Sequence, residues 1–121
     1  MTIYQRMQAV FDAAGIAGYL QTRETSTGDV QLPDTYCAYV VTSDGPALSA
    51  DDHELVHRSD VRVDLHGKRD TSEALELLLL ALDAAGFEYG AVRHLDGSVH
   101  GSKYKYHKRI AATHFAYETE E

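Results

Sequence analysis

The segment from Val61 to Phe87 constrains the fold more than any other, because its hydrophobic period changes from that of a strand to that of a helix. Apolar residues occupy every second position from Val61 to Leu65, with polar or charged residues between them, which is typical of a half-buried β-strand. Asp70 followed by Glu73 predicts a capping box at the start of a helix that Gly86 ends. The apolar stripe of that helix is Leu75, Leu78, Leu79 and Leu82. The segment therefore predicts a strand followed directly by an amphipathic helix.

A second capped helix opens the chain. Thr2 and Gln5 have the spacing of a capping box, and Gly15 follows the last apolar position. The apolar stripe consists of Ile3, Met7, Val10, Phe11 and Ala14. Residues 16–31 are polar and rich in Thr, Ser and Gly, so we expect a loop there with room for one short strand.

Four strands are predicted in two antiparallel pairs. The first pair covers 36–42 and 54–66, joined by a polar loop at 43–52. The first half of the second strand lacks a regular apolar face, so we expect this hairpin to project beyond the domain body. The second pair covers 87–95 and 103–118.

The order helix–strand–strand–helix–strand–strand predicts an α+β domain. We expect a mainly antiparallel four-stranded sheet, two helices on one face, and a protruding β-hairpin. A length of 121 residues suits a single domain spanning 1–121. Its acidic end, 118–121, is expected to be frayed.

Composition narrows the classes of function. A formal net charge of −8 disfavours a protein that mainly grips phosphate backbones. The single cysteine, Cys37, excludes an internal disulfide framework and predicts an inert buried thiol. No signal-peptide pattern opens the chain, and the longest apolar cluster, Leu77 to Leu82, is too short to span a bilayer. We therefore expect synthesis in a cytoplasm and no membrane partner.

A basic patch near the end of the chain leaves two interpretations open. Its members are Lys103, Lys105, Lys108 and Arg109. The simpler interpretation is the solvent side of an edge strand, where lysines discourage unwanted pairing. The alternative is a small nucleic-acid-binding module that uses the final strand.

The second helix predicts a subunit interface. Leu77, Leu80 and Ala84 fall on the side of this helix opposite its main apolar stripe, and exposed leucines three residues apart would leave contiguous apolar surface on a monomer. Leu55 and Val56 on the projecting hairpin are further candidates, because such an arm needs something to pack against.

Residues His53-Glu54-Leu55-Val56-His57 spell the H-E-x-x-H motif of zinc metalloproteases. That chemistry needs both histidines on one helical face, whereas the segment runs directly into the strand at Val61. Residues four apart on a strand are separated by roughly 13 Å, too far to share one ion. We therefore predict no catalytic residue, metal ligand or cofactor, and keep a zinc-dependent hydrolase as the alternative from another class.

Three local patterns, together with the order of the elements, carry a resemblance to a known family. Residues 32–40 (LPDTYCAYV) place a Leu-Pro before an aromatic-rich strand. Residues 50–52 (ADD) close a loop, and 61–70 (VRVDLHGKRD) form an alternating strand that meets a basic–acidic helix start. Residues 115–118 (FAYE) end the final hairpin. Over residues 3–118 the chain resembles the tail terminator proteins of siphophages, also called tail completion or tail-to-head joining proteins.

The resemblance implies a structural virion protein rather than an enzyme. It implies a homohexameric ring that caps the tail tube, stops its polymerisation and contacts both the tail tube protein and the head–tail connector proteins. DNA would pass through the ring without sequence-specific binding, and Asp44, Asp51 and Asp52 are candidates for lining the channel. The implied location is the head–tail junction of the virion, after assembly in the host cytoplasm. A neck adaptor or minor capsid protein is the alternative within the structural class.

Overall fold

The computed structural model describes residues 1–21, 33–50, 53–96 and 104–117. In chain order the elements are α1 (Ile3–Ala14), β1 (Ala17–Leu20), β2 (Thr35–Ala50), β3 (His53–Gly67), α2 (Ser72–Ala84), β4 (Phe87–Tyr89), β5 (Arg93–Asp96) and β6 (Tyr106–Tyr117). Within the described ranges, neither helix has the length and apolar character needed to cross a membrane.

The strands form one mixed, six-stranded sheet, so the prediction of a mainly antiparallel four-stranded sheet is wrong. The strand order is β1-β2-β3-β6-β4, with β5 also pairing with β6. β1 adds a parallel edge to β2, a pairing that the polar composition after residue 16 does not reveal. The strand predicted over 87–95 is two short strands. Three residues lie between Tyr89 and Arg93, but only two lie between their β6 partners Ala112 and Arg109, so the ladder is interrupted.

The loop predicted at 43–52 is also wrong, because β2 continues to Ala50 and pairs with β3 over almost its whole length. This pairing contains three register shifts, which insert Thr42 and Ala47 into β2 and Leu55 into β3. β6 flanks the other side of β3 as far as Val56. Only the tip of the β2–β3 hairpin, beyond Val56, extends past β6. This tip is much shorter than the projecting arm expected from the sequence.

Both helices end at the glycines that the sequence predicts. The predicted capping box forms at the start of α1 but not at the start of α2. The Thr2 side chain accepts from the Gln5 backbone and Gln5 caps in return, which confirms the first capping box. At the start of α2, Asp70 instead accepts from the backbone and hydroxyl of Ser72, and the helix begins at Ser72. Gly15 and Gly86, with φ of 73° and 84°, adopt the left-handed conformation just after each helix.

The main core lies between the two helices and one face of the sheet, which we call the inner face. The predicted α1 stripe is buried throughout, and Val61, Val63 and Leu65 are 0–2% exposed. Leu78 and Leu82 of α2 join the same core. Gly18 leaves room for the ring of Phe11, because a Cβ at Gly18 would overlap that ring.

The opposite, outer face of the sheet is also buried over part of its area. Tyr36 packs against Tyr104, with ring centroids 5.3 Å apart, and stacks on His66 at 5.0 Å. His66 in turn packs against His107, with centroids 4.2 Å apart. All four side chains are at most 7% exposed. The strand expected to be half-buried is therefore buried on both faces at its end nearest Gly67.

Candidate functional site

The predicted interface residues on α2 form an apolar surface, which we call the helix patch: Leu77, Leu80 and Ala84. Leu77 is 45% exposed and Leu80 is 61% exposed, and Ala84 is also exposed. Leu78, between the two leucines, is fully buried, so the helix anchors itself to the core through its other side. Leu77 also lines a groove of about 450 Å³ between the end of α1 and the start of α2. The helix patch is thus available for contact without any loss of the domain's own core.

A second apolar surface lies at the far end of the sheet, and we call it the hairpin patch: Leu48, Val56 and Tyr117. Val56 pairs with Leu48 on one side and with Tyr117 on the other. Directly paired residues on neighbouring strands point to the same face, so the three side chains form one row. Leu48 is 56% exposed and Tyr117 is 50% exposed. Val56 and Leu55 are the two interface residues predicted on the hairpin. Val56 lies in this row, and Leu55 is a partly buried bulge residue beside it.

The two patches lie on different sides of the molecule. Val56 has the same parity along β3 as Arg62 and Asp64, which places the hairpin patch on the outer face of the sheet. The helix patch lies on the side of α2 that is turned away from the sheet. A single subunit therefore presents two distinct apolar surfaces that cannot cover each other.

Asp44, a predicted channel residue, belongs to a small polar network in a pocket of about 440 Å³ below the start of α1. Its Oδ1 accepts from the Ser59 hydroxyl at 2.6 Å and lies 2.6 Å from His57 Nε2. The hydrogen bonds from Ser59 and then from His57 hold the pKa of Asp44 below its ordinary value. Asp51 and Asp52, the other two predicted channel residues, lie outside the described residues.

The same pocket brings together a serine, a histidine and an aspartate, but not in the order that nucleophilic catalysis needs. In a catalytic triad the histidine lies between serine and aspartate, so that it takes the hydroxyl proton. Here Ser59 and His57 both bond to the carboxylate of Asp44. These two hydrogen bonds stabilise the Asp44 carboxylate and lower its pKa, and the histidine does not lie between the serine and the aspartate.

The H-E-x-x-H segment lies on strand β3, as predicted, rather than on a helix. Strand geometry separates the backbones of His53 and His57 by roughly 13 Å. His57 is moreover engaged with Asp44. Across the described parts of the chain, no three His, Cys, Asp or Glu side chains are grouped so that they could hold a metal ion. A strand does not place the two histidines one helical turn apart, which is the arrangement that the zinc metalloprotease motif uses.

Asp64 organises a buried polar network on the outer face. Its Oδ1 accepts from Arg109 Nε at 2.7 Å and lies 3.2 Å from His107 Nε2. Its Oδ2 lies 3.6 Å from Arg62 Nε. The Asp64 side chain is 7% exposed, so its charge is compensated by these partners rather than by water. Sequence alternation does not predict this network, because it places Asp64 on the solvent side of β3.

The predicted basic patch is not one surface. Lys108 pairs with Leu65, whose side chain lies in the inner core, and is itself 8% exposed. Arg109, the next residue, lies on the outer face beside Asp64. Lys105 is exposed, and Lys103 lies outside the described residues. Adjacent residues on a strand point to opposite faces, which divides the patch and weakens the nucleic-acid alternative that depended on it.

Comparison with known proteins places the chain in no family. No protein-family model matches the sequence, and no curated protein sequence matches it.

Proposed function

We propose that this protein is a tail terminator of a siphophage tail, a structural subunit that works as a homohexameric ring without catalysis or cofactor. The observation that carries the proposal is the presence of two separate apolar surfaces, the helix patch and the hairpin patch, on different sides of one subunit. The virion context comes from the resemblance of residues 3–118 to that family.

A pair of unlike patches favours a ring over a two-fold dimer. In a two-fold dimer the same surface meets itself, whereas a ring joins one surface of each subunit to a different surface of the next. The occupant that we assign to the helix patch is therefore the hairpin patch of the neighbouring copy. Tyr117 is the largest exposed side chain of the hairpin patch, and the groove beside Leu77 offers a concave surface for it.

In this role each ring would cap a tail tube. Contacts that close on themselves limit growth, whereas open contacts of the same kind build filaments. A closed ring seated on the tube protein would leave no free binding surface for the next tube subunit. The opposite side of the ring would then meet the head–tail connector, and DNA would pass through the centre without sequence-specific binding.

Two measurements test the proposal. Size-exclusion chromatography with light scattering should give a particle of six times the 13.4 kDa subunit mass, and negative-stain images should show rings. Tails assembled without the protein should vary in length beyond the normal tube. Tubes of normal, uniform length in its absence would refute the terminator role, and a monomer at every concentration would refute the ring.

Crosslinking in assembled particles separates this proposal from a neck adaptor or minor capsid protein. A terminator should crosslink to the tail tube protein on one side and to the connector on the other. Crosslinks confined to the connector and portal side would favour the neck adaptor instead.

A further inference from the structure

A groove of about 320 Å³ on the outer face of the sheet is lined by three arginines, Arg62, Arg93 and Arg109. They come from three different strands that lie side by side at this point: β3, β5 and β6. Arg93 and Arg109 are direct cross-strand partners. Like charges placed directly opposite each other destabilise a sheet unless something neutralises them.

The described residues supply too little negative charge for these arginines. Asp64 is the shared counter-ion of Arg109 and Arg62. Among the residues that the structure describes, Arg93 forms no ion pair, and its side chain is exposed. Of the three guanidinium groups, two therefore share one carboxylate and the third has none, in a chain whose overall charge is −8.

Asp60, which also lines the groove, does not correct this imbalance. Its carboxylate is held by Arg58 Nε at 3.1 and 3.2 Å and accepts from the Thr113 hydroxyl at 2.6 Å. Asp60 is thus compensated by a fourth arginine. Taken together, four arginines and two aspartates leave a local excess of two positive charges.

The arginines also retain unused hydrogen-bond donors. Arg109 uses Nε to reach Asp64, and Arg62 uses one terminal nitrogen to reach the Gln21 side chain at 3.3 Å. A guanidinium has five N–H donors, and within the described part of the chain most of those on Arg93 and Arg109 have no acceptor. The planar fork of a guanidinium matches the oxygens of phosphate or carboxylate.

We propose that this groove binds a small phosphate dianion, either inorganic phosphate or a phosphomonoester. A group with a charge near −2 neutralises the local excess, whereas one carboxylate would leave it half compensated. At about 320 Å³ the groove has ample room for one phosphate group and for a small organic part attached to it. A long duplex is disfavoured, because the overall charge of −8 repels a polyanion. No residue of the groove belongs to the helix patch or the hairpin patch, so this inference is independent of the proposed function.

Arginine side-chain NMR tests the site directly. Inorganic phosphate, titrated against chloride at matched ionic strength, should shift the Nε–H resonances of Arg62, Arg93 and Arg109 and reach saturation. Arg93→Gln should weaken phosphate binding about tenfold, the effect expected from losing one charge-assisted contact. Arg93→Lys should weaken it less, because it keeps the charge but loses the fork. Arg69→Gln is the matched control, since Arg69 is exposed and lies outside the groove, and it should stay within about twofold of the unchanged protein.

Three results would overturn the site. The first is a phosphate titration that gives the same shifts as chloride. The second is an equal loss of affinity in Arg93→Gln and Arg69→Gln, which would indicate diffuse charge attraction. The third is binding of a short DNA duplex that depends on Arg93 while inorganic phosphate fails to bind, which would assign the groove to a phosphodiester backbone. Shifts by a phosphomonoester such as phosphoserine at the same arginines would support the site.

Discussion

Replacing both leucines of the helix patch should separate assembly from folding. In Leu77→Ser with Leu80→Ser, the surface that we assign to the neighbouring subunit becomes polar while the core side of α2 is unchanged. Burying a leucine completely contributes about 1.5–3 kcal/mol. Since Leu80 is 61% exposed and Leu77 is 45% exposed in the isolated subunit, covering both would contribute about 2–3 kcal/mol per interface. That corresponds to a loss of roughly 30- to 150-fold in the association constant between neighbours.

Sedimentation velocity over a hundredfold range of protein concentration measures this loss. The double variant should sediment as a monomer at concentrations where the unchanged protein forms the ring. Its urea midpoint, measured on the dissociated protein, should change little, because both leucines are already exposed there. The matched control is Leu78→Ala, in the same helix but fully buried, which should cost about 2–5 kcal/mol of folding stability.

Two outcomes would refute the reasoning. If the double variant assembles with the same concentration dependence as the unchanged protein, the helix patch is not the interface. If the double variant unfolds as readily as Leu78→Ala, then its leucines support the fold and not the assembly.

Three further predictions concern the fold and its acids. Gly18→Ala should lower the free energy of unfolding, measured by urea denaturation, by about 1–3 kcal/mol, because its Cβ would overlap the buried ring of Phe11. The control Gly90→Ala has open space around its Cβ and should cost less than about 1 kcal/mol. Asp44→Asn should reduce stability at neutral pH by less than about 1 kcal/mol, since the side chain is 41% exposed. Because the pKa of Asp44 is lowered in the folded state, urea denaturation should show this difference shrinking as pH falls below about 4. A difference that grows as the pH falls below about 4 would contradict the lowered pKa. Burial raises the pKa of Tyr36 to about 12, so the free energy of unfolding should decline between about pH 10 and 12. Absorbance at 295 nm should show a late tyrosine ionisation step that Tyr36→Phe removes.

Local signals predicted the helices and the central strand well. The Thr2–Gln5 cap, the buried stripe of α1 and the glycine stops depend on residues within one or two turns of each other. The alternation from Val61 to Leu65 depends on the pleat alone. The outward position of Leu77 and Leu80 also follows from helical geometry.

Features set by distant pairing could not be predicted in this way. Residues 43–50 have the composition of a loop, yet β2 continues through them because β3 supplies hydrogen-bonding partners. Alternation alone places Asp64 in solvent, because its partners His107 and Arg109 lie more than forty residues further along the chain. The row of Leu48, Val56 and Tyr117 depends on a register that three bulges set. A single sequence contains no direct signal for such register.

The irregular second half of β2 has a consequence for how copies of this chain can associate. β1 covers β2 only as far as Tyr39, so within the described residues the backbone groups beyond it on that side are not paired in the sheet. A long exposed row of this kind invites strand addition from other molecules, which leads to open-ended aggregates. Pro46 has no N–H to offer an incoming strand, and the bulges at Thr42 and Ala47 break the repeat that such a strand would have to match. The backbone of β2 therefore disfavours open-ended strand addition, so copies of this chain would recognise each other through side-chain contacts.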